Sequence, residues 1–172
     1  MTTRTESVEG TLLDWLRDAH AMEKHAEQML SNTASRLEHY PELRAKIERH
    51  LEQTRSQAER LQGCIERHGG STSVFKDTAA QVLGFGQALT GVFTSDEVVK
   101  ASVASFAFEQ MEMATYKALI TAAESAGDLT TKEVCQEILA EEKEMAGWLD
   151  ENLPGVVRTF LARDARGATA KR

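Results

Sequence analysis

The chain has 172 residues, with 41% hydrophobic and 27% charged positions and only two prolines. That length fits one domain with a substantial core, and the composition suits an all-helical fold. A net charge of −7 gives no reason to expect nucleic acid or an anionic membrane surface as a partner.

Neither secretion nor membrane spanning is indicated, because there is no apolar N-terminal h-region and no run of about 18 apolar residues. The two cysteines, Cys64 and Cys135, lack CxxC spacing, so a reduced, cytoplasmic chain is the default. Residues 1–10 are mostly polar and are expected to fray. The first helix is expected over Thr11–Glu38, with Thr11 and Asp14 in capping-box spacing. Its seam reads Leu13, Leu16, His20, Glu23, Glu27, Leu30 and Leu37, polar in the centre and apolar at both ends. Pro41 suits the first turn of a second helix, which stops at Gly69-Gly70. Its core face is Ile47, Leu51, Thr54, Ala58, Leu61 and Ile65, flanked by His50 and Gln57, with Gln53 further round.

Residues 70–94 read as a long connection, with room for a short helix over Val74–Leu83. Ser95 is expected to cap the third helix, which ends near Gly127. The stretch Val98–Ala123 would make about seven turns and is apolar or small almost all round, the pattern of a helix buried on every side. Glu109, Glu112 and Tyr116 nevertheless share one face in its middle. Unpaired carboxylates in such surroundings cost several kcal/mol each, so something must compensate them, and a cation is the simplest answer. Thr130 to Glu133 reads as a capping box for a fourth helix, with Val134, Ile138, Glu142, Met145 and Leu149 on one face, ending before Pro154. A short terminal helix is expected over 155–163, and 164–172 is expected to be disordered. The domain proper is therefore 11–163.

Two helical hairpins joined by a long crossover between the second and third helices define a ferritin-like antiparallel four-helix bundle. Depth arithmetic places Glu23 and Glu112 each roughly 24 Å from its hairpin turn. Glu142 falls within one turn of the same level, as do Glu109, Glu27 and His20. The second helix brings Gln53, Thr54 and Gln57 there, with His50 one turn away. Carboxylates with one or two histidines at the centre of a bundle suit a dinuclear iron or manganese site, since hard oxygen donors favour these ions and carboxylates can bridge them. The Glu-x-x-His pattern usual for such sites is absent from the second and fourth helices.

The stretches LLDWLRDAHAMEKHAEQML (12–30), HLEQTRSQAERL (50–61), FEQMEMATYKALITAAE (108–124) and ILAEEKEMAGWLDENLP (138–154) resemble the YciE/YciF ferritin-like family of bacterial stress proteins. The resemblance covers nearly the whole chain. It implies a metal-binding bundle that forms homodimers, with ligands at Glu23, Glu109, Glu112 and Glu142. Relatives often carry an acid or histidine near Gln53 and Gln57, so the second helix's contribution departs from the pattern. Tyr116 is read as a core tyrosine bonded to a carboxylate or as a redox-active neighbour. His20, His50 and Glu27 are read as satisfied or supporting residues sooner than as ligands.

Two functions follow. One is a dinuclear non-haem iron (or manganese) protein that oxidises Fe(II) with O2 or reduces peroxide, a ferroxidase or peroxidase-like activity in a stress response. The other is a metal-free structural or interaction protein whose buried acids are paired across a dimer interface.

Overall fold

The computed structural model describes the backbone of residues 2–71 and 95–170, and within these the side chains from Val8 onward. It contains α1 (Thr2–Arg36), α2 (Pro41–Arg67), α3 (Glu97–Ala126) and α4 (Leu129–Asp164), and no strand among the described residues. The expected helix over 74–83 lies outside the described residues.

α1 packs mainly against α2, and α3 against α4; α1 also meets α3, and α2 meets α4. Leu12 and Leu16 early in α1 cluster with Leu61 and Ile65 late in α2, Leu119 and Ala123 late in α3, and Cys135 and Ile138 early in α4. At the other end, Leu30 and Leu37 of α1 meet Leu43 and Ile47 of α2, Val98 of α3, and Met145 and Leu149 of α4. So α1 and α4 run one way, and α2 and α3 the other. The end of α2 and the start of α3 therefore lie at opposite ends of the bundle, the arrangement that distinguishes ferritin-like connectivity from up-down bundles.

The hairpin turns follow from local chemistry. Pro41 begins α2 where its missing N–H is not needed. Gly127 closes α3 in the left-handed conformation, φ 76°, and the Asp128 amide bonds back to the Ala123 carbonyl at 2.9 Å. Asp128 then caps α4 by accepting from the Thr131 amide at 3.0 Å. The expected capping box at Thr130–Glu133 is thus replaced by a cap two residues earlier. Likewise α1 begins at Thr2, ahead of Thr11, and Asp96 takes the N-cap position of α3 in place of Ser95.

α4 does not stop before Pro154; it runs through it to Asp164. Proline inside a helix forfeits a hydrogen bond, at a cost of about 3 kcal/mol. Here Pro154 and Asp150 are exposed, so water can satisfy the freed carbonyl, while Val156 and Phe160 on the inner side pack onto the core. The expected short terminal helix is the continuation of α4. Beyond it the chain turns at Gly167 and folds back: the Tyr40 hydroxyl donates to the Ala170 carbonyl at 2.6 Å, and Arg163 Nε donates to the Thr169 carbonyl at 2.7 Å. These contacts tie down residues 169 and 170, within the stretch 164–172 where disorder is expected; 171 and 172 lie outside the described residues.

The seam of α1 is also shifted. Its buried series is Leu12, Leu16, Ala19, Met22, Glu23, Ala26 and Leu30, while Leu13, His20 and Glu27 are half-buried. Small alanines take the inner face where the heptad reading puts His20 and Glu27.

Candidate metal centre

The two apolar clusters are separated by a polar layer. α1 contributes Glu23; α2 contributes His50, Thr54 and Gln57; α3 contributes Glu109, Glu112 and Tyr116; α4 contributes Glu142. None of these residues is more than 2% exposed. Each arises from helical spacing, since positions three, four and seven apart share one face.

His50, Glu109, Glu112 and Glu142 each offer a donor atom, and these atoms all lie within 4.8 Å of one another. His50 Nε2 is 3.3 Å from an oxygen of Glu109 and 3.3 Å from an oxygen of Glu142. Its Nδ1 lies 3.2 Å from the Gln53 side-chain oxygen, which orients the ring so that Nε2 faces the carboxylates. Glu23 accepts a hydrogen bond from the Tyr116 hydroxyl. Gln57 Nε2 donates to Glu142 at 2.5 Å and to Glu141 at 2.8 Å.

This layer is under-satisfied. Among the described residues, Glu23 Oε2, Glu109 Oε2, Glu112 Oε1, Glu142 Oε2, Thr54 Oγ1 and Gln57 Oε1 are buried without a hydrogen-bond partner. The Glu109 and Glu142 oxygens come near enough to His50 to pair as charges but are misaligned for hydrogen bonds. Buried acceptors left unmade are costly. Burial, reinforced by the neighbouring carboxylates, pushes Glu23 and Glu112 well above the usual carboxyl range. Burial raises Glu109 to about 7, against the opposing pull of His50. Burial alone would lower the His50 pKa, but Glu109 and Glu142 raise it to about 11. Burial, then Glu23, pushes the Tyr116 phenol up. One imidazolium cannot balance four carboxylates; divalent cations can. The donor set is rich in hard oxygen with one nitrogen, which fits iron or manganese, and the unpartnered oxygens are where such ions would be held.

The structure therefore brings Glu109, Glu112 and Glu142 together, with Glu23 buried in the same layer against Tyr116. It also brings in His50, which the sequence ranked below them, and sets Gln53 behind it. Gln57 touches Glu142 through its amide nitrogen. Glu27 turns outward to Lys24 and to Arg55, the latter at 3.0 Å, and His20 stands outside the cluster. Sequence reasoning passed over Glu141, which stands in the charged run Glu141-Glu142-Lys143-Glu144.

Fold and site together define a ferritin-like bundle with a buried histidine–carboxylate cluster at its centre. The chain belongs to the family described as a domain of unknown function, DUF892, which matches residues 7–162. It is similar to a protein from Xanthomonas campestris pv. campestris at 42% identity, over 92% of this chain and 99% of that one, with a TM-score of 0.80. The E. coli stress protein YciF matches at 22% identity over 88% of this chain and 97% of that one, TM-score 0.75, in keeping with the YciE/YciF resemblance. A Desulfovibrio desulfuricans bacterioferritin with a diiron site shares the fold at 20% identity over 96% of this chain and 91% of that one, TM-score 0.74. No helix among the described residues is long and apolar enough to cross a membrane.

Proposed function

We propose that this chain is a dinuclear non-haem iron (or manganese) protein that oxidises Fe(II) or reduces peroxide. The observation that carries the reading is the set of four fully buried carboxylates, each with an oxygen lacking a hydrogen-bond partner among the described residues. Charge supports a pair of ions: four carboxylates with neutral His50 balance two divalent cations, whereas one cation would leave two carboxylates needing protons.

His50, Glu109, Glu112 and Glu142 would hold the ions, with Glu23 adding a further carboxylate from α1. His50 would bind through Nε2 after losing its proton, and Gln53 would keep the ring oriented. Tyr116 would hold Glu23 through its hydroxyl. Phe108, Ile138 and Met145, all buried at the edges of the layer, would limit water access. Such a metal pair, when bound, supplies the electrons for reduction of O2 or peroxide.

The alternative, acids paired with basic groups across a dimer interface, requires carboxylates at the surface. These face the interior of a single chain. We place the protein in the cytoplasm as a homodimer, a reading supported by its free buried cysteines and by exposed Trp15 and Val103. Elemental analysis of protein prepared without chelator tests the function. About two Fe or Mn per chain, lost in Glu112→Ala, is expected; no metal in either protein refutes it.

A further inference from the structure

The centre is sealed. Its carboxylates are at most 2% exposed, so a cation can reach them only if a side chain moves. The hydrogen bonds that lead outward from the centre run through Gln57. Gln57, itself fully buried, donates from one nitrogen to the buried Glu142 and to the half-buried Glu141. The same oxygen of Glu141 that Gln57 contacts is held by Arg60 Nη2 at 2.5 Å. Arg60 Nη1 reaches Glu137, an exposed acid one turn earlier on α4, at 3.5 Å. A continuous polar chain thus joins the surface to the centre: Glu137, Arg60, Glu141, Gln57, Glu142.

The two sides of the Gln57 amide differ. Its nitrogen bridges two carboxylates, while its oxygen is buried without a hydrogen-bond partner among the described residues. Turned by half a rotation, the amide would present that oxygen to both carboxylates, which is favourable only with a cation between them. The neighbouring face is less suited. There Glu144 is tied up by the buried Lys46 at 2.6 Å, and Lys46 stands one turn before His50 on α2, where its fixed charge repels cations.

We propose that divalent cations load the centre through Glu141, with Arg60 as a latch that an incoming cation displaces and the Gln57 amide as the gate behind it. This rests on the cation-binding reading above. A cation and the Arg60 guanidinium compete for the same Glu141 oxygen. Removing the acid therefore slows loading, and removing the latch speeds it.

The test is stopped-flow mixing of the metal-free full chain with Co(II), followed by its visible absorption. Glu141→Gln is expected to slow loading on the order of tenfold, the lower end of what a focused charge contributes to an association rate. Arg60→Gln is expected to speed it several-fold. Glu151→Gln, an equal loss of charge at an exposed site further along α4, is expected to load at the parental rate. All are expected to reach the parental end point. Parental rates in both Glu141→Gln and Arg60→Gln overturn the route, and so does a slowing in Glu151→Gln equal to that in Glu141→Gln. A lowered end point in Glu141→Gln overturns it too, because Glu141 would then be a ligand. If the parent takes up no Co(II), the cation-binding reading itself falls, and the route with it.

Discussion

Replacing Glu112 with methionine should stabilise the metal-free chain and remove most of its stabilisation by metal. Without a cation, Glu112 places a carboxyl with an unpartnered oxygen in the core, 1% exposed, between Phe108 and Tyr116. Leaving such a group unsatisfied costs about 1–3 kcal/mol, and an apolar side chain of similar length removes that cost. For a chain of this size each kcal/mol moves Tm by about 2–4 °C, so metal-free Glu112→Met should melt about 2–12 °C above the parent. With Mn(II) at about 100 times its Kd, the parent gains about 2.7 kcal/mol, an upward shift of about 5–11 °C. The variant lacks a carboxylate of the proposed site and should shift little. The assay is thermal unfolding by circular dichroism, with chelator and then with Mn(II), for both proteins. A Glu112→Met variant that melts below the parent in chelator refutes the claim that this layer is unsatisfied. Equal Mn(II) shifts in the two proteins refute the assignment of Glu112 to the site.

Further expectations concern single contacts. Tyr116→Phe removes the donor to Glu23 and leaves both oxygens of that carboxylate without a bond, so the metal-free protein should lose about 1–3 kcal/mol in a urea titration, a loss that Mn(II) should reduce. Asp128→Ala removes the cap of α4 and should cost about 1 kcal/mol near neutral pH. Although partial burial acts to raise the Asp128 pKa, bonds from Thr131 and His68 hold it below its ordinary value. Its contribution is therefore present above the unfolded-state value of about 4 and is lost as pH falls through the folded value. The stability gap between parent and Asp128→Ala should narrow as pH falls below about 4; a constant gap would show that charge is not involved. Tyr40→Phe cuts the bond to the Ala170 carbonyl, and trypsin should then cleave after Arg163 and Arg166 faster than in the parent.

The carboxylates of α3 were legible because their surroundings are so apolar that two acids on one face stand out. Counting residues from each turn then found Glu23 and Glu142, since rise per residue is fixed in every helix. His50 was harder to see. Counting gives the level of a backbone, but an imidazole reaches across about a turn, so a residue placed one turn away meets Glu109 and Glu142. Glu27 and His20 were set at the seam because large side chains were counted and alanines were not. In the fold, Ala19 and Ala26 let α1 approach closely and turn its longer polar residues outward. Pro154 reads as a stop, yet packing of Val156 and Phe160 outweighs its local cost. Glu141 was indistinguishable from its charged neighbours, because only the facing Gln57 and Arg60 separate it from them.

The polar layer also divides the interior into two apolar bodies, one around Leu16, Leu61 and Leu119 and the other around Leu37, Ile47 and Leu149. All four helices pass through both bodies, but between them lies a level where side chains contribute little attraction unless a cation draws them together. Cooperativity along the bundle then depends on occupancy. If cations fill the layer as proposed, the two halves of the metal-free chain should open as separate units, with amides on the two sides exchanging with deuterium at independent rates, and should exchange as one once cations are bound.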